Sequence, residues 1–349
     1  PLAGGFLTDQ LSWRWVFYIN LPFGILAWFG LAAFVHETPT DRTRRFDVLG
    51  FSFLALAIGA LQMMLDRGES LGWFASREIV IEAMVAGICF YLFLAHIFTH
   101  YRPFIDPAMF KDRNFSVGMI IFFAVGLILL ATMALMPPFM QGLMNYPIVD
   151  VGNLLVPRGI GTMIAMFIVG KLAHKIDLRY SIFVGLSLTS YSLWEMTHFT
   201  PDIASWDIIR TGLMQGMGLG CTFVPLTTIT FSTLAPHYRN EGTSLFSLSR
   251  SLGNSIGVSI VIANLSQRTQ INHAAFADSI TPFNFALQDG AATGLYDLAT
   301  PEGLAAIDQL VNRQAVTLAF LQDFQLMMWI TLAALPLILL FRAPKRTGQ

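Results

Sequence analysis

Charge is what this chain of 349 residues has least of: 12% of its residues are Asp, Glu, Lys or Arg, against about 25% in soluble globular proteins. Its two cysteines, Cys89 and Cys221, stand in separate apolar runs, which excludes a disulfide framework and leaves them as small buried hydrophobes. The net charge of -1 gives no basic excess for nucleic acid to bind. No GxxxxGK[ST] sequence occurs, since Gly170-Lys171 is followed by Leu172, and HExxH, CxxC and GxSxG are missing too. ATP hydrolysis by this chain, zinc proteolysis and serine hydrolysis therefore have no carrier. His96 and His100 have the i, i+4 spacing of a metal pair, but the sequence puts no third ligand or carboxylate beside them, so neither a metal nor another cofactor is expected. A membrane enzyme would need several polar groups converging at one depth. The acids picked out within apolar runs are Glu82 and Glu195, both near run ends, so no catalytic residue is expected.

What there is instead is apolar length. The chain is 54% hydrophobic, with a mean hydropathy of +0.59. Apolar runs recur at 16–34, 48–65, 79–98, 115–138, 151–172, 180–196, 208–233, 243–265 and 320–341, each long enough to cross about 30 Å of hydrocarbon. These runs, about nine in all, predict an all-α polytopic membrane protein, and residues 1–8 read as the tail of one more span. Lysine and arginine concentrate in alternate connectors, 37–47, 101–114, 171–179 and 342–349. The positive-inside rule assigns these to the cytoplasm, together with the C-terminus. The connector 266–317 is expected as a long outer loop, with Thr300-Pro301-Glu302 opening a short amphipathic helix over Leu304, Ile307, Leu310 and Val311. Loops of that length are commonly functional or disordered, and a partner surface is expected there.

Several polar and small residues sit inside the runs. Arg250 precedes Gly253 and Gly257 on one helix face, and that face must meet protein or water rather than lipid. Arg250 also lies near enough to a helix end to snorkel, so functional and structural readings stand side by side. Met119, Phe122, Gly126, Leu129, Met133, Met136 and Met140 share a second face, suited either to packing or to an adaptable cavity lining. The run from 208 combines Met214, Gln215 and Cys221 with four glycines, then Pro225 and Thr228. Pro225 lacks an N–H and leaves a carbonyl for a threonine or water to satisfy. Glu195 and Arg210, at the outer ends of consecutive runs, are expected to pair.

The motifs PLAGG (1–5), WRWVFYINLPFG (13–24), LQMMLDRGESLGWF (61–74), DPAMFKDRNF (106–115), PLTTITFSTL (225–234) and SLSRSLGNSIG (247–257) follow one another along the chain. In this order they resemble the EmrB/QacA-type drug:proton antiporters, the fourteen-spanner branch of the major facilitator superfamily, on its EmrB-like side. The resemblance implies a C-terminal portion of that fold, N-terminally truncated. Residues 1–36 would be the end of the fifth span and the sixth, 37–47 a cytoplasmic loop, and 48–100 two linker helices. A second cytoplasmic loop at 101–114 would lead to the C-terminal six-helix half, 115–341, with periplasmic loop 266–317, and a cytoplasmic tail at 342–349. It further implies proton-driven export of hydrophobic or amphipathic compounds from the inner membrane, energised by the proton gradient, with a periplasmic adaptor and an outer-membrane channel as partners. The residues that carry protons are expected in the missing first half. By the same mapping, the methionine stripe and the 214–228 segment line the substrate cavity, and Gly4, Gly5, Arg158, Arg250, Gly253 and Gly257 meet the opposite half. The sequence departs from the family's cytoplasmic loop motif at His174. Export of one amphipathic compound, such as a fatty acid, is the alternative. A proton-coupled uptake carrier and a membrane-bound biosynthetic enzyme are more distant ones.

Overall fold

A computed structural model describes residues 4, 6–7, 11–34, 47–100, 103–172, 176–281 and 300–342. Gly5, the arginines of the 37–46 segment, His174 and the centre of the connector between 281 and 300 lie outside them. The described residues form helices and turns without a strand. In chain order the long helices are α1 (Asn20–Phe34, preceded by the short turn Trp15–Tyr18), α2 (Val48–Arg67), α3 (Arg77–Thr99) and α4 (Arg113–Gly142). Then come α5 (Ile148–Leu172), α6 (Leu178–Met196), α7 (Ser205–Ser232), α8 (Arg239–Ser279) and α9 (Pro301–Ala334), which tightens into a 3-10 turn at Leu335–Leu340.

Short polar side chains start these helices. Asp112 accepts from Phe115 N at 2.9 Å to open α4, and Thr300 accepts from Gly303 N at 3.1 Å to open α9, with Pro301 in the first turn. Seven helices are long and apolar enough to cross a membrane by length and composition. The exceptions are α6 and α7, rich in Ser, Thr and Gly. Several of their hydroxyls turn inward, among them Ser192, which donates to Thr211 O at 2.8 Å, and Thr222, which donates to Gly218 O at 2.9 Å. The helices expected as spans are thus all present, two of them less apolar because they face protein.

Helices α4 to α9 form one bundle, in which α5 and α6 pack on α7, α4 packs on α8, and α9 packs on α8, α6 and α4. Aromatic and methionine side chains fill one end: Phe139, Met140, Phe320, Phe324 and Met327 are fully buried or nearly so. The α2–α3 hairpin leans on α8. No residue of α1 is buried.

The connector expected as a loop over 266–317 departs from that expectation. Residues 266–279 continue α8, and 301–317 are the first half of α9. At 41 residues, α8 is about 60 Å long, roughly twice the hydrocarbon thickness. The extended segments zip together. His273 meets Asp308 at 3.1 Å, Asn272 donates to Ala315 O at 3.3 Å, and Ile307 and Val311 are buried as the apolar spacing predicts, while Leu304 and Leu310 stay exposed. Polar residues hid these turns from a hydropathy reading, because a helix packed on a neighbour outside the membrane needs only one apolar stripe.

Candidate functional site

Small residues bring α4 and α8 into backbone contact. A Cβ on Gly126 would lie 2.5 Å from Arg250 O, and one on Gly257 would lie 2.8 Å from Leu127 Cα. Gly253 abuts the Phe123 carbonyl in the same seam. The Arg250, Gly253 and Gly257 face, expected to meet the opposite half, therefore meets α4 of its own bundle. A GxxxG pattern specifies close approach but not the partner helix, and α4 supplies the matching small residue, Gly126. Phe122 stacks on Phe246 with centroids 3.8 Å apart, and the Arg250 guanidinium stands 5.9 Å from the Phe122 ring.

The methionine stripe of α4 divides accordingly. Phe122, Gly126, Met136 and Met140 are buried in the bundle core, Met119 and Leu129 are half-buried, and Met133 is exposed. Met119 of the stripe borders a cavity of about 610 Å³ between the α2–α3 hairpin and α4 with α8. Leu54, Phe90, Phe93, Phe123, Leu248 and Leu252 line it, and its walls are almost wholly apolar.

Arg158 of α5 lies deeper. It is 6% exposed, and a guanidinium nitrogen donates to Leu129 O of α4 at 3.2 Å. No carboxylate among the described residues reaches it. Gly216 of α7 abuts the Arg158 carbonyl, and Thr162 bonds both that carbonyl, at 2.9 Å, and Gly216 O, at 3.1 Å. Beside this junction Gln215 is buried, its Nε2 3.5 Å from Thr132 Oγ1 and its Oε1 without a hydrogen-bond partner among the described residues. Met214 and Cys221 are half-buried, and Thr228 is exposed and bonded to Val224 O at 2.9 Å. Pro225 is buried. The Cys221 carbonyl that Pro225 cannot serve is taken by Ser181 Oγ of the neighbouring helix α6 at 2.9 Å. A Cβ added to Gly4 would meet no atom of the described residues within 4 Å.

Glu195 and Arg210 lie 3.2 Å apart, with Asp207 a second acid at 3.7 Å from Arg210. The histidine pair gains a carboxylate that its sequence neighbourhood lacks: both Asp47 oxygens lie 2.9 to 3.0 Å from His96 Nε2, and His100 stacks on His96 at 4.7 Å. The three residues could offer ligand atoms to one ion, but Asp47 already accepts from Gly50 N at 2.9 Å and Phe104 N at 3.0 Å. Burial works to raise the Asp47 pKa, and these bonds outweigh it and hold it below the ordinary value. The arrangement fastens the start of α2 to the end of α3 and the segment after it.

One acid escaped the sequence reading. Asp323 of α9 is fully buried, and its Oδ1 accepts from Asn264 Nδ2 of α8 at 2.7 Å. It sits between Phe320 and Phe324, where an apolar window hides it.

A family model described as Major Facilitator Superfamily matches residues 1–258. The chain belongs to the major facilitator superfamily. Among curated members, it is 34% identical over 289 residues to the multidrug export protein EmrB of Escherichia coli K12, covering 81% of this chain and 56% of that protein. The fatty acid resistance protein FarB of Neisseria gonorrhoeae is 31% identical over 351 residues, covering 100% of this chain and 69% of FarB. A multidrug resistance protein B homolog of Mycobacterium tuberculosis H37Rv is 29% identical over 302 residues, with 55% of it covered. The chain thus spans little more than half the length of several superfamily relatives. Its place is among the EmrB-like members, and it is a multi-pass membrane protein.

Proposed function

We propose that this chain serves in a proton-driven multidrug efflux transporter of the inner membrane, exchanging hydrophobic or amphipathic compounds for protons, with its C-terminus in the cytoplasm. The observation that carries this reading is the 34% identity to a multidrug export protein across 81% of the chain. The absence of any nucleotide-binding loop from the sequence agrees with a gradient rather than ATP as the energy source. An apolar cavity bordered by Met119, Phe93 and Phe123 suits ligands of varied shape, because methionine adapts its packing. In such a system a periplasmic adaptor and an outer-membrane channel would take the compound onward, and the α8–α9 extension is the surface we assign to that contact. The test is dye movement into inverted vesicles carrying the longest form of the protein, under an imposed proton gradient. Loss of transport on collapsing the gradient is expected. Uptake that persists without it would refute proton coupling.

A second reading, export of one amphipathic acid, is favoured by a separate observation. Arg158 is a buried cation whose partner is a backbone carbonyl, and a carboxylate headgroup would complement it. FarB, matched along the whole chain, is named for fatty acid resistance. Under this reading Arg158→Met removes protection against long-chain fatty acids and leaves protection against cationic dyes intact. Equal loss of both would reject it.

A further inference from the structure

We propose that Asp323 is a proton-binding site in the C-terminal bundle, neutral in the conformation described here and ionised when α8 and α9 part. The carboxyl group is completely buried, with Phe320, Phe324 and Met327 of the same helix packed into the core around it. One oxygen accepts a single hydrogen bond, from the uncharged amide of Asn264 at 2.7 Å. The other, Oδ2, is buried with no hydrogen-bond partner among the described residues. A carboxylate closed off in this way would keep a full charge out of water with one neutral donor to support it, whereas the protonated acid leaves only an unsatisfied hydroxyl. Of the two, the neutral form is the one this closed site favours.

Among the described residues no charge is committed to Asp323. Helix α4 has no ionisable side chain after Arg113, and the turn Leu335–Leu340 has none. On α6, Glu195 is held by Arg210, Arg179 lies at the far end, and Tyr180 and Tyr191 are exposed. On α9 itself Arg313 donates to Leu143 O, and Asp308 meets His273 of α8. Of the charges on α8, Arg250 lies beside Phe122, well down the helix from Asn264. Arg268 lies one turn beyond Asn264 on α8 and makes no ion pair with Asp323 in this conformation. It would draw out the negative charge once the seam loosened and water entered.

A proton needs no cavity, only a conformation in which its carboxyl meets water. The reaction is the binding or release of H⁺ at one carboxyl oxygen, with the proton exchanged with water, so charge and atoms balance without a co-reactant. Asn264 and Asn272, which bond Asp323 and the Ala315 carbonyl, fasten the same α8–α9 seam at two heights. Opening that seam and deprotonating Asp323 are therefore linked, which is what a coupling site requires. The transport role rests on the exporter reading above, but the protonation state does not.

Infrared difference spectroscopy of the chain in lipid reads the protonation state directly. At about pH 7, where exposed carboxyls are ionised, a protonated-carboxyl C=O band is expected in the native chain. It should be lost in Asp323→Asn and displaced in Asp323→Glu, with far-UV circular dichroism showing all three folded. A native spectrum without the band, or a band that survives Asp323→Asn, overturns the proposal. So does an unshifted band in Asp323→Glu, should the asparagine variant fail to fold. In proteoliposomes of the longest form, Asp323→Asn should at least halve the protons moved per substrate while changing substrate affinity by less than about threefold, half a tenfold step. An unchanged ratio would make Asp323 a neutral structural tie and overturn the coupling role. A native protein that moves no protons would instead reject the exporter reading, and the band would still decide the state of Asp323.

Discussion

Replacing Gly126 with alanine puts a methyl group where α8 already is. The added Cβ would stand 2.5 Å from Arg250 O and 3.3 Å from Arg250 C, against about 3.5 Å for comfortable contact. The obstacle is helix backbone, which cannot rotate away, so α4 and α8 must separate by about 1 Å, forfeiting up to half the attraction at each contact in the seam. Overpacking of this kind costs about 1–3 kcal/mol, set against a helix-propensity gain of about 1 kcal/mol for alanine over glycine. Gly159 supplies the control, because a Cβ there meets nothing within 4 Å. Gly159→Ala should therefore show the propensity gain alone. Reversible unfolding in mixed micelles is the assay, and Gly126→Ala is expected to be less stable than Gly159→Ala by about 1–3 kcal/mol. Two variants of equal stability would mean that α4 and α8 are not in backbone contact. The described helix pairing would then be wrong.

Ser181→Ala should cost about 1 kcal/mol by orphaning the Cys221 carbonyl, and almost nothing in a Pro225→Ala background, where the restored N–H can serve that carbonyl. A double-mutant cycle by chemical unfolding checks it, and an additive result would contradict the assignment. At the end of α6, Arg210→Gln should lower the melting temperature more than Glu195→Gln does. The Glu195 side chain is 10% exposed and would lose its cation where water barely reaches, whereas the Arg210 side chain is 47% exposed and reaches water. For Asp106, the Ala108 N–H bond first, opposed by burial, and then the Tyr238 hydroxyl at 2.8 Å hold the carboxyl below its ordinary value, as the bonds at Asp47 do. A lowered value means stabilisation that is complete above about pH 4 and lost as pH falls through the folded value. Hydrogen exchange in residues 103–112, corrected for intrinsic rate, should accelerate below that point. Asp106→Asn should show exchange that is already fast at neutral pH.

How much of this was legible follows from the range of each interaction. Every apolar run became a helix because hydropathy acts within the run itself. The caps at Asp112 and Thr300 are local as well, three residues from the amides they serve. The first turns of α9 were legible in Thr300-Pro301-Glu302 and the apolar spacing after it, whereas the continuation of α8 beyond 265 was not: Asn272 and His273 look like loop residues until Ala315 and Asp308 are seen opposite them. Gly253 and Gly257 announced close packing, but nothing in their spacing says whether α4 or another helix would fill the groove. Asp47 reaches His96 across 49 residues of sequence, beyond any spacing rule. Asp323 was hidden by its own aromatic neighbours, whose hydropathy outweighs one acid in a window average.

Proton exchange is the central claim, and internal pH tests it most directly. With the longest form of the protein in proteoliposomes enclosing a pH-sensitive dye, a hydrophobic cationic substrate is added outside in the absence of any gradient. Antiport predicts that protons leave the interior as the substrate enters, in a fixed ratio to it, and that internal pH rises. Substrate entry with no change in internal pH would contradict it.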